Sequence, residues 1–409
     1  MRPHARFPSC GYPVNVVRLS RERERGVTSS ADPSAPELPT RRSVVAGPVV
    51  AIVTVLAALL ATHAAGVPFL DPDDMVGRRL VRVGCLVALL VVLDIVVRAG
   101  RRSRKLTPSR AAMRSVRRER WSWHRGVAVG SALVSFYATY LAYRNLKSVV
   151  PLLRPGELFD RQLADFERGL FGGNDPAALL HSLLGTGVQT QVLSVVYHLF
   201  IVFVPLSIGL VLVFSPDLRA GLFYVTAASI NWPLGAASYL LLPALGPVYA
   251  APAGFTDLPA SEVSYLQGLL LAQRLEFLRD PAAADAHQSI AAFGSLHVSI
   301  IFTAAVAAHM LGQGWRLRIG LWVMFALTAI ATIYLGWHYV VDDLAGLVIG
   351  LTALAVARVL TGFEPRTARR LRIPKQAGMA VRAAAAEPGQ HDHVYPRPRG
   401  ALRGDDKRE

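Results

Sequence analysis

The chain has 409 residues, of which 52% are hydrophobic and only 18% are charged, and its mean hydropathy is +0.36. Soluble domains carry about 25% charged residues, so the composition excludes an ordinary soluble enzyme and a disordered protein. The formal net charge of +16 lies mainly in the N-terminal tail, in 98–125 and after Arg366. These basic segments separate apolar stretches, which is typical of cytoplasmic loops in a membrane protein and not of nucleic-acid binding.

Polar, Arg-rich segments begin and end the chain. Residues 1–42 have no apolar period and predict a disordered cytoplasmic tail, and residues 363–409 predict a second one. Eight apolar stretches between them approach the length that a membrane-spanning helix needs. They cover about 43–66, 81–97, 126–143, 190–214, 220–242, 293–311, 317–337 and 343–361.

The distribution of basic residues predicts the orientation. Residues 98–125 contain eleven Lys or Arg against one acid, whereas residues 67–79 are rich in Asp. The loop 98–125 is therefore expected in the cytoplasm and the loop 67–79 outside. Eight spans then leave both termini in the cytoplasm, and the outer regions are 144–189, 243–292 and 338–342.

The outer regions contain two predicted surface helices. In 157–171 the apolar side chains share one helical face and the charged ones lie elsewhere, which predicts an amphipathic helix on the membrane surface. Residues 262–279 are similar. An ordinary covering loop and a lid over a site that receives lipid are both open at this point.

The first polar patch follows the third span. Lys147 precedes Arg154 by seven positions, and Pro155 comes next. In a helix both cations would share a face, although Pro151 can bend it, and two fixed cations suit the oxygens of a phosphate. The alternative is snorkelling at a membrane edge, but composition predicts roughly 0.03 such matches by chance.

The second patch, FGSLHVSI, opens the sixth span. Ser295 and His297 fall in the first turn, where free backbone N–H groups and the helix dipole favour an anion. His297 is positioned there to give a proton to a leaving oxygen. Taken alone, a capping serine followed by an interfacial histidine is the simpler interpretation.

The third patch, IYLGWHYVVDDLAG, joins the last two spans. His338 and Asp342 are four positions apart, so on a helix they lie within hydrogen-bonding reach. A carboxylate that holds the proton of one ring nitrogen leaves the other nitrogen free to attack. Asp343 is expected to point away from that shared face.

The three patches are expected on one side of the membrane. Two spans separate Lys147 from His297, and two more separate His297 from His338, so every patch returns to the outer side. Two cations, a Ser/His pair and a His/Asp pair suit phosphoryl transfer through a phosphohistidine. The sequence predicts neither a metal nor a cofactor, since it offers no ligand cluster and no Gly-rich nucleotide loop.

At these residues the chain resembles the type-2 phosphatidic acid phosphatase superfamily, whose three signatures are K-x6-RP, PSGH and SR-x5-H-x3-D. The first signature is matched in full, and the second keeps its Ser and His, with Gly294 and Leu296 in place of Pro and Gly. The third keeps His338 and Asp342, but Ala331 and Thr332 replace its Ser and Arg. The resemblance covers about 126–361.

The departures resemble the inositolphosphotransferase branch, typified by fungal inositol phosphorylceramide synthase. The third motif of that branch runs Y-x-x-x-H-Y-x-V-D, as does the stretch from Tyr334 to Asp342 here. The resemblance implies His338 as nucleophile, Asp342 as its orienting partner and His297 as general acid. It implies phosphate contacts from Lys147, Arg154, Gly294 and Ser295. The missing Arg favours a phosphodiester, which carries less charge than a phosphomonoester.

The expected architecture is an all-α integral membrane protein of about eight transmembrane helices with a six-helix phosphatidic-acid-phosphatase-type core. Between the two tails, residues 43–125 would hold two extra helices and the basic loop, and residues 126–362 the catalytic core. Asp94, His198 and Asn231 are polar residues within spans and are weaker functional candidates.

The expected function is transfer of a phosphoryl-containing headgroup from a phospholipid to an alcohol at the extracytoplasmic face of the cell membrane. The alternative acceptor is water, which would make the protein a lipid phosphate phosphatase acting on phosphatidate or a polyprenyl pyrophosphate. A lipid transporter or an inactive scaffold is the alternative of another class. No nucleic acid is expected as a partner.

Overall fold

The computed structural model describes residues 39–72, 74–283 and 286–365, which form helices joined by turns and loops. The α-helices of the described residues, in chain order, are α1 (Arg41–Ala64), α2 (Leu80–Ser103), α3 (Arg110–Arg120), α4 (Trp123–Leu153), α5 (Asp160–Leu170), α6 (Pro176–Leu184), α7 (Val188–Phe214), α8 (Leu218–Leu241), α9 (Pro247–Ala250), α10 (Glu262–Arg279), α11 (Leu296–Met310), α12 (Trp315–Tyr334) and α13 (Val340–Thr361). A π-helical segment, Met75–Arg79, precedes α2, and a 3-10 helix, Pro252–Phe255, follows α9.

Each of the eight predicted spans coincides with a helix, but six helices of the described residues are long and apolar enough to cross a membrane. These six are α1, α2 with the residues from Val76 onward, α4, α7, α12 and α13. Of the other two, α11 has only 15 residues. The remaining helix, α8, is enclosed by protein, so its sequence need not be apolar on every face. The protein is a multi-pass membrane protein.

The centre of the bundle is α8, which packs against α1, α4, α7, α11 and α13. Small residues allow these helices to approach closely, as small residues do in membrane helix packing: a Cβ on Gly235 would lie 2.7 Å from the side chain of Leu296. Asn231 is fully buried, donates to Thr303 Oγ1 at 3.2 Å and accepts a hydrogen bond from Ser299. Asn231 therefore joins α8 to α11.

The outer surface of the bundle is apolar. Leu60, Val81, Leu89 and Val348 are each more than 60% exposed. Apolar side chains exposed over a large surface indicate contact with a membrane. The lipid chains would therefore surround α1, α2 and α13 at these positions.

Two predicted boundaries need correction. Helix α4 ends at Leu153, ten residues beyond the predicted end of the third span, because Asn145, Leu146 and Val149 are buried among neighbouring helices and not in lipid. The N-terminal tail was predicted to end at residue 42, but α1 already begins at Arg41. Residues 1–38 and 366–409, which include most of both predicted tails, lie outside the described residues.

Candidate active site

The loop between α12 and α13 carries His338. The backbone N–H groups of Trp337 and His338 both donate to the carbonyl of Thr332, at 2.9 and 3.2 Å. Gly336 has a φ of +73°, and a Cβ there would lie 2.6 Å from the ring of Phe255. Glycine is required at this turn because side chains strain in that conformation. The end of α12 thus fixes the backbone of His338.

The ring of His338 is held through one nitrogen. Its Nδ1 lies 2.9 Å from the carbonyl oxygen of Ala292 and 3.4 Å from Oδ2 of Asp342, and the residue is only 7% exposed. A nitrogen that faces two acceptors carries the proton, which leaves Nε2 with its lone pair. The geometry therefore presents Nε2 as a nucleophile.

Asp342 reaches His338 by a route other than the predicted shared helical face. His338 and Tyr339 precede the first residue of α13, and Asp342 caps that helix by accepting the N–H of Tyr339 at 2.9 Å. The cap turns the carboxylate back toward the histidine. Its other oxygen, Oδ1, is buried and has no hydrogen-bond partner among the described residues.

Asp343 contacts residues other than His338. Its carboxylate accepts a hydrogen bond from Thr332 Oγ1 at 3.1 Å and contacts the side chain of Ser295. Thr332 occupies the position of the missing third-motif arginine. The site therefore has a hydroxyl bonded to a buried carboxylate where the motif would have a cation.

His297 lies in the first turn of α11 and faces His338. The two ring centroids are 6.2 Å apart. Tyr197 stacks on His297 at 4.5 Å and on Trp337 at 5.1 Å, and Phe200 lies 4.2 Å from His297. Sequence reasoning did not find Tyr197, whose ring packs between His297 and the indole next to His338.

Gly294 and Ser295 connect α11 to α13. Ser295 caps α11 by accepting the N–H of Val298 at 3.4 Å, and its own N–H donates to the carbonyl of Asp342 at 2.9 Å. Gly294 has a φ of +79°, and a Cβ there would lie 2.5 Å from Ser238 Oγ. These contacts fix His297 relative to His338, and they engage the backbone N–H of Ser295 that the sequence had offered to phosphate.

Lys147 enters the same region from α4. Its Nζ lies 5.1 Å from the centroid of the Tyr239 ring, and Lys147 is in electrostatic range of His297. No carboxylate pairs with it in the described part of the chain. An unpaired cation over an aromatic face can bind an incoming anion.

Arg154 leaves α4 and does not share a helical face with Lys147. The helix ends at Leu153, and Arg154 has non-helical backbone angles as its cap. Its Nη1 donates to the carbonyl of Leu240 at 2.6 Å, and its Nε donates to Glu157 at 3.0 Å. Glu157 also raises the pKa of Arg154 by hydrogen bonding. Arg154 lines a cavity of about 330 Å³.

Two acids that organise the site were missed by sequence reasoning, because the pattern of α5 predicted that its charged residues face outward. Asp160 is 7% exposed and accepts hydrogen bonds from the N–H groups of Leu245 and Gly246, both at 2.9 Å, and from the Tyr339 hydroxyl at 3.2 Å. Two bonds to the turn before α9 and one to the residue after His338 tie α5 to the site.

Glu167 lies seven positions after Asp160, on the same face of α5. It is 4% exposed and accepts the N–H groups of Val340 and Val341. The first N–H groups of a helix have no partner within it, so Glu167 satisfies the start of α13. Burial raises the pKa of Glu167 to about 7. Meanwhile the apolar side chains Phe166 and Leu170 are more than half exposed. The seven-residue spacing of Asp160 and Glu167 is the one signal that sequence offered.

The comparison with known families gives one match. The PAP2 superfamily matches residues 161–356, so this part of the all-helical membrane protein is similar to a PAP2 domain. The match includes His297 and His338 but starts after Lys147 and Arg154, later than the start near 126 that the motifs predicted. No curated protein and no solved structure matches the chain.

Similarity to the PAP2 superfamily over this part of the chain implies an activity of the lipid phosphatase or phosphotransferase type on a phosphate-bearing lipid. Members are generally metal-independent phosphatases with a histidine nucleophile.

Proposed function

We propose that this protein is a membrane-embedded lipid headgroup transferase that works through a phosphohistidine on His338. The observation that carries the proposal is the geometry of His338: Nδ1 is held by Ala292 and Asp342, and the ring faces His297 at 6.2 Å. Nucleophile, orienting carboxylate and proton donor therefore lie together, as covalent catalysis requires.

The reaction has two displacements. Nε2 of His338 attacks the phosphorus of a phospholipid, and the P–O bond to the diacylglycerol oxygen breaks as that oxygen takes a proton from His297. The acceptor hydroxyl then gives its proton to His297 and attacks phosphorus, which breaks the P–N bond. Asp342 stabilises the imidazolium in both steps. Lys147 and Arg154 bind the phosphate, while Gly294 and Ser295 fix the start of α11.

Transfer is favoured over hydrolysis by the charge of the site. A phosphomonoester carries about −1.5 to −2 at neutral pH, whereas a phosphodiester carries one negative charge. Thr332 supplies no cation at the third-motif position, and its hydroxyl is bonded to Asp343. His338 is only 7% exposed, so bulk water has little access to it. This supports an alcohol acceptor bound by the pocket over water. We infer an inositol phosphate headgroup from the motif resemblance alone. The family comparison supports the superfamily and does not reach that branch.

Hydrolysis is the second candidate function, because PAP2 members are generally phosphatases. A lipid phosphatase would use the same His338, His297 and Asp342 with water as the acceptor. A transporter or an inactive scaffold would need none of the three to react.

An extracytoplasmic site is supported by the positions of the basic residues on α4. Arg125 lies near the start of the helix beside the Arg-rich segment, and Lys147 lies near its end. At 1.5 Å per residue about 33 Å of helix separates them, which is close to the thickness of a bilayer core. Basic residues concentrate on the cytoplasmic side, so Lys147 and the histidines would face outward.

The test uses the purified full-length chain in detergent with chelator present. Radiolabelled phosphatidate, a polyprenyl pyrophosphate and phosphatidylinositol are each supplied with and without an alcohol acceptor. Movement of labelled inositol phosphate to the alcohol is the expected result. Release of inorganic phosphate would favour the phosphatase instead, and no turnover of any lipid would contradict both enzymatic functions.

A further inference from the structure

The cavity of about 330 Å³ beside Arg154 has a second arginine in its wall, Arg274 of α10. The rest of the lining is largely apolar and includes Leu158, Leu278 and Ile290. Two guanidinium groups line this cavity together with one carboxylate, that of Glu157, which is paired with Arg154. A cavity of this size can accept an anionic headgroup with the first part of its chains.

Arg274 and Arg154 differ in their partners. Arg154 is paired with Glu157. Arg274 donates to the neutral side-chain amide of Gln288 at 3.2 Å, and no carboxylate pairs with it among the residues described. Burial lowers the pKa of Arg274, and Asp160 is the acid that acts on it electrostatically. A partly desolvated cation without an anionic partner is costly unless a ligand supplies the anion.

Arg274 is connected to the candidate active site by short hydrogen-bonded routes. Gln288, its partner, also donates to the backbone carbonyl of Lys147 at 2.8 Å. Ala291 lines the cavity, and the next residue, Ala292, accepts the hydrogen bond from His338. The cavity wall is therefore continuous with the backbone segment that binds His338.

We propose that Arg274 binds the phosphate of the substrate lipid in this cavity together with Arg154. This inference rests on the proposed function, because it takes the substrate to be a lipid with a phosphate in its headgroup. Arg274 comes from α10, outside all three motifs, which is why the motif pattern did not indicate it. Guanidinium groups bind phosphate through two parallel hydrogen bonds, so the pair fits the two free oxygens of a phosphodiester.

The experiment measures binding, so that it does not depend on turnover. The affinity of the full-length protein in detergent is determined for dioctanoyl phosphatidylinositol, for dioctanoylglycerol and for inorganic phosphate. Arg274→Gln is compared with Arg274→Lys, which keeps the charge, and with Arg279→Gln, which removes an exposed arginine from the same helix.

Arg274→Gln is expected to weaken binding of the phosphatidylinositol by about tenfold, which corresponds to about 1.4 kcal/mol, and to leave binding of dioctanoylglycerol unchanged. Arg274→Lys should retain part of the affinity, and Arg279→Gln all of it. Unchanged binding by Arg274→Gln would overturn the inference. Inorganic phosphate bound as tightly as the lipid, with the same dependence on Arg274, would overturn the lipid as the ligand.

The proposed function is judged separately, by transfer of labelled headgroup in wild type and His338→Ala. A protein that binds the lipid through Arg274 but transfers nothing would contradict the function and not the binding site. Transfer that persists while Arg274→Gln binds normally would contradict the binding site and not the function.

Discussion

The two ends of α4 hold basic residues in opposite electrostatic surroundings. Near its start, Arg125 donates to the carbonyls of Leu212 and Ser215 at the end of α7, at 3.3 and 3.1 Å. Arg120, just before α4, binds the buried carboxylate of Asp94 at 2.8 Å. Near the other end, Lys147 lies over an aromatic ring and has no carboxylate partner in the described ranges.

The arginines at the start of α4 stabilise the fold, whereas Lys147 near its end is available to bind an anionic ligand. Carbonyls at a helix C-terminus carry partial negative charge, so the arginines at the start of α4 find acceptors within the protein, although Nε of Arg125 is buried without a hydrogen-bond partner among the described residues. Asp94, a weak functional candidate on sequence, binds Arg98 and Arg120 and is 1% exposed. Removing a residue from this cluster should cost stability, whereas removing one near Lys147 should cost activity.

The largest effect is expected for His338→Ala. The variant loses the nucleophile, so transfer should fall by about a thousandfold or more, and no acid-labile phosphoenzyme should form. Turnover of labelled lipid and trapping of the phosphoenzyme measure the two effects. His309→Ala is the matched control, since His309 bonds with Trp322 near the far end of α11. Full activity in His338→Ala would show that another group attacks the phosphorus.

Asp94→Ala tests the satisfied end of α4. Two guanidinium groups would lose a buried carboxylate, which typically costs about 3 kcal/mol of stability. The apparent Tm in detergent should fall, while kcat of the protein that remains folded should stay near wild type. An unchanged Tm together with lost transfer would reverse the comparison and make this end the functional one.

Sequence reasoning identified the helices well and the histidines by their spacing. An uncharged stretch of about 20 residues has few alternatives to a helix in a membrane. All eight apolar stretches form helices, although only six helices of the described residues are long and apolar enough to cross a membrane. The His338–Asp342 spacing anticipated their contact, because a helix cap brings together residues as close in sequence as a helical turn does.

Residues with distant partners were not predictable from spacing. Glu167 binds backbone N–H groups of Val340 and Val341, more than 170 positions away, and Arg274 shares a cavity with Arg154. A backbone partner leaves no mark on the sequence, since every residue except proline carries the same N–H. The charged face of α5 therefore indicated solvent, although two of its acids are buried.

Glu167→Gln should produce a smaller effect that depends on pH. Because burial raises the pKa of Glu167 to about 7, the folded state holds a proton that the unfolded state, with a pKa near 4.5, has already released. Stability from this group is therefore complete below about pH 4.5 and is lost as the pH rises through about 7. Glutamine keeps an acceptor for Val341 without titrating.

The measurement is the apparent Tm of both proteins from pH 5 to pH 8. Wild type should fall relative to Glu167→Gln as the pH rises, with the difference largest at pH 8. Glu276→Gln on the exposed surface of α10 should follow wild type at every pH. Parallel curves for wild type and Glu167→Gln would mean that the carboxyl does not titrate in this range.

The smallest effect sharpens the comparison at the ligand-binding end. Glu157 occupies two of the donors with which Arg154 would bind phosphate, so an incoming headgroup must displace it. Glu157→Gln removes the competing charge, and KM for the lipid should fall by about threefold, an affinity gain of well under 1.4 kcal/mol, with kcat nearly constant. Because Glu157 is about half exposed, stability should not change. A raised KM would mean that Glu157 positions Arg154 for the substrate and does not compete with it.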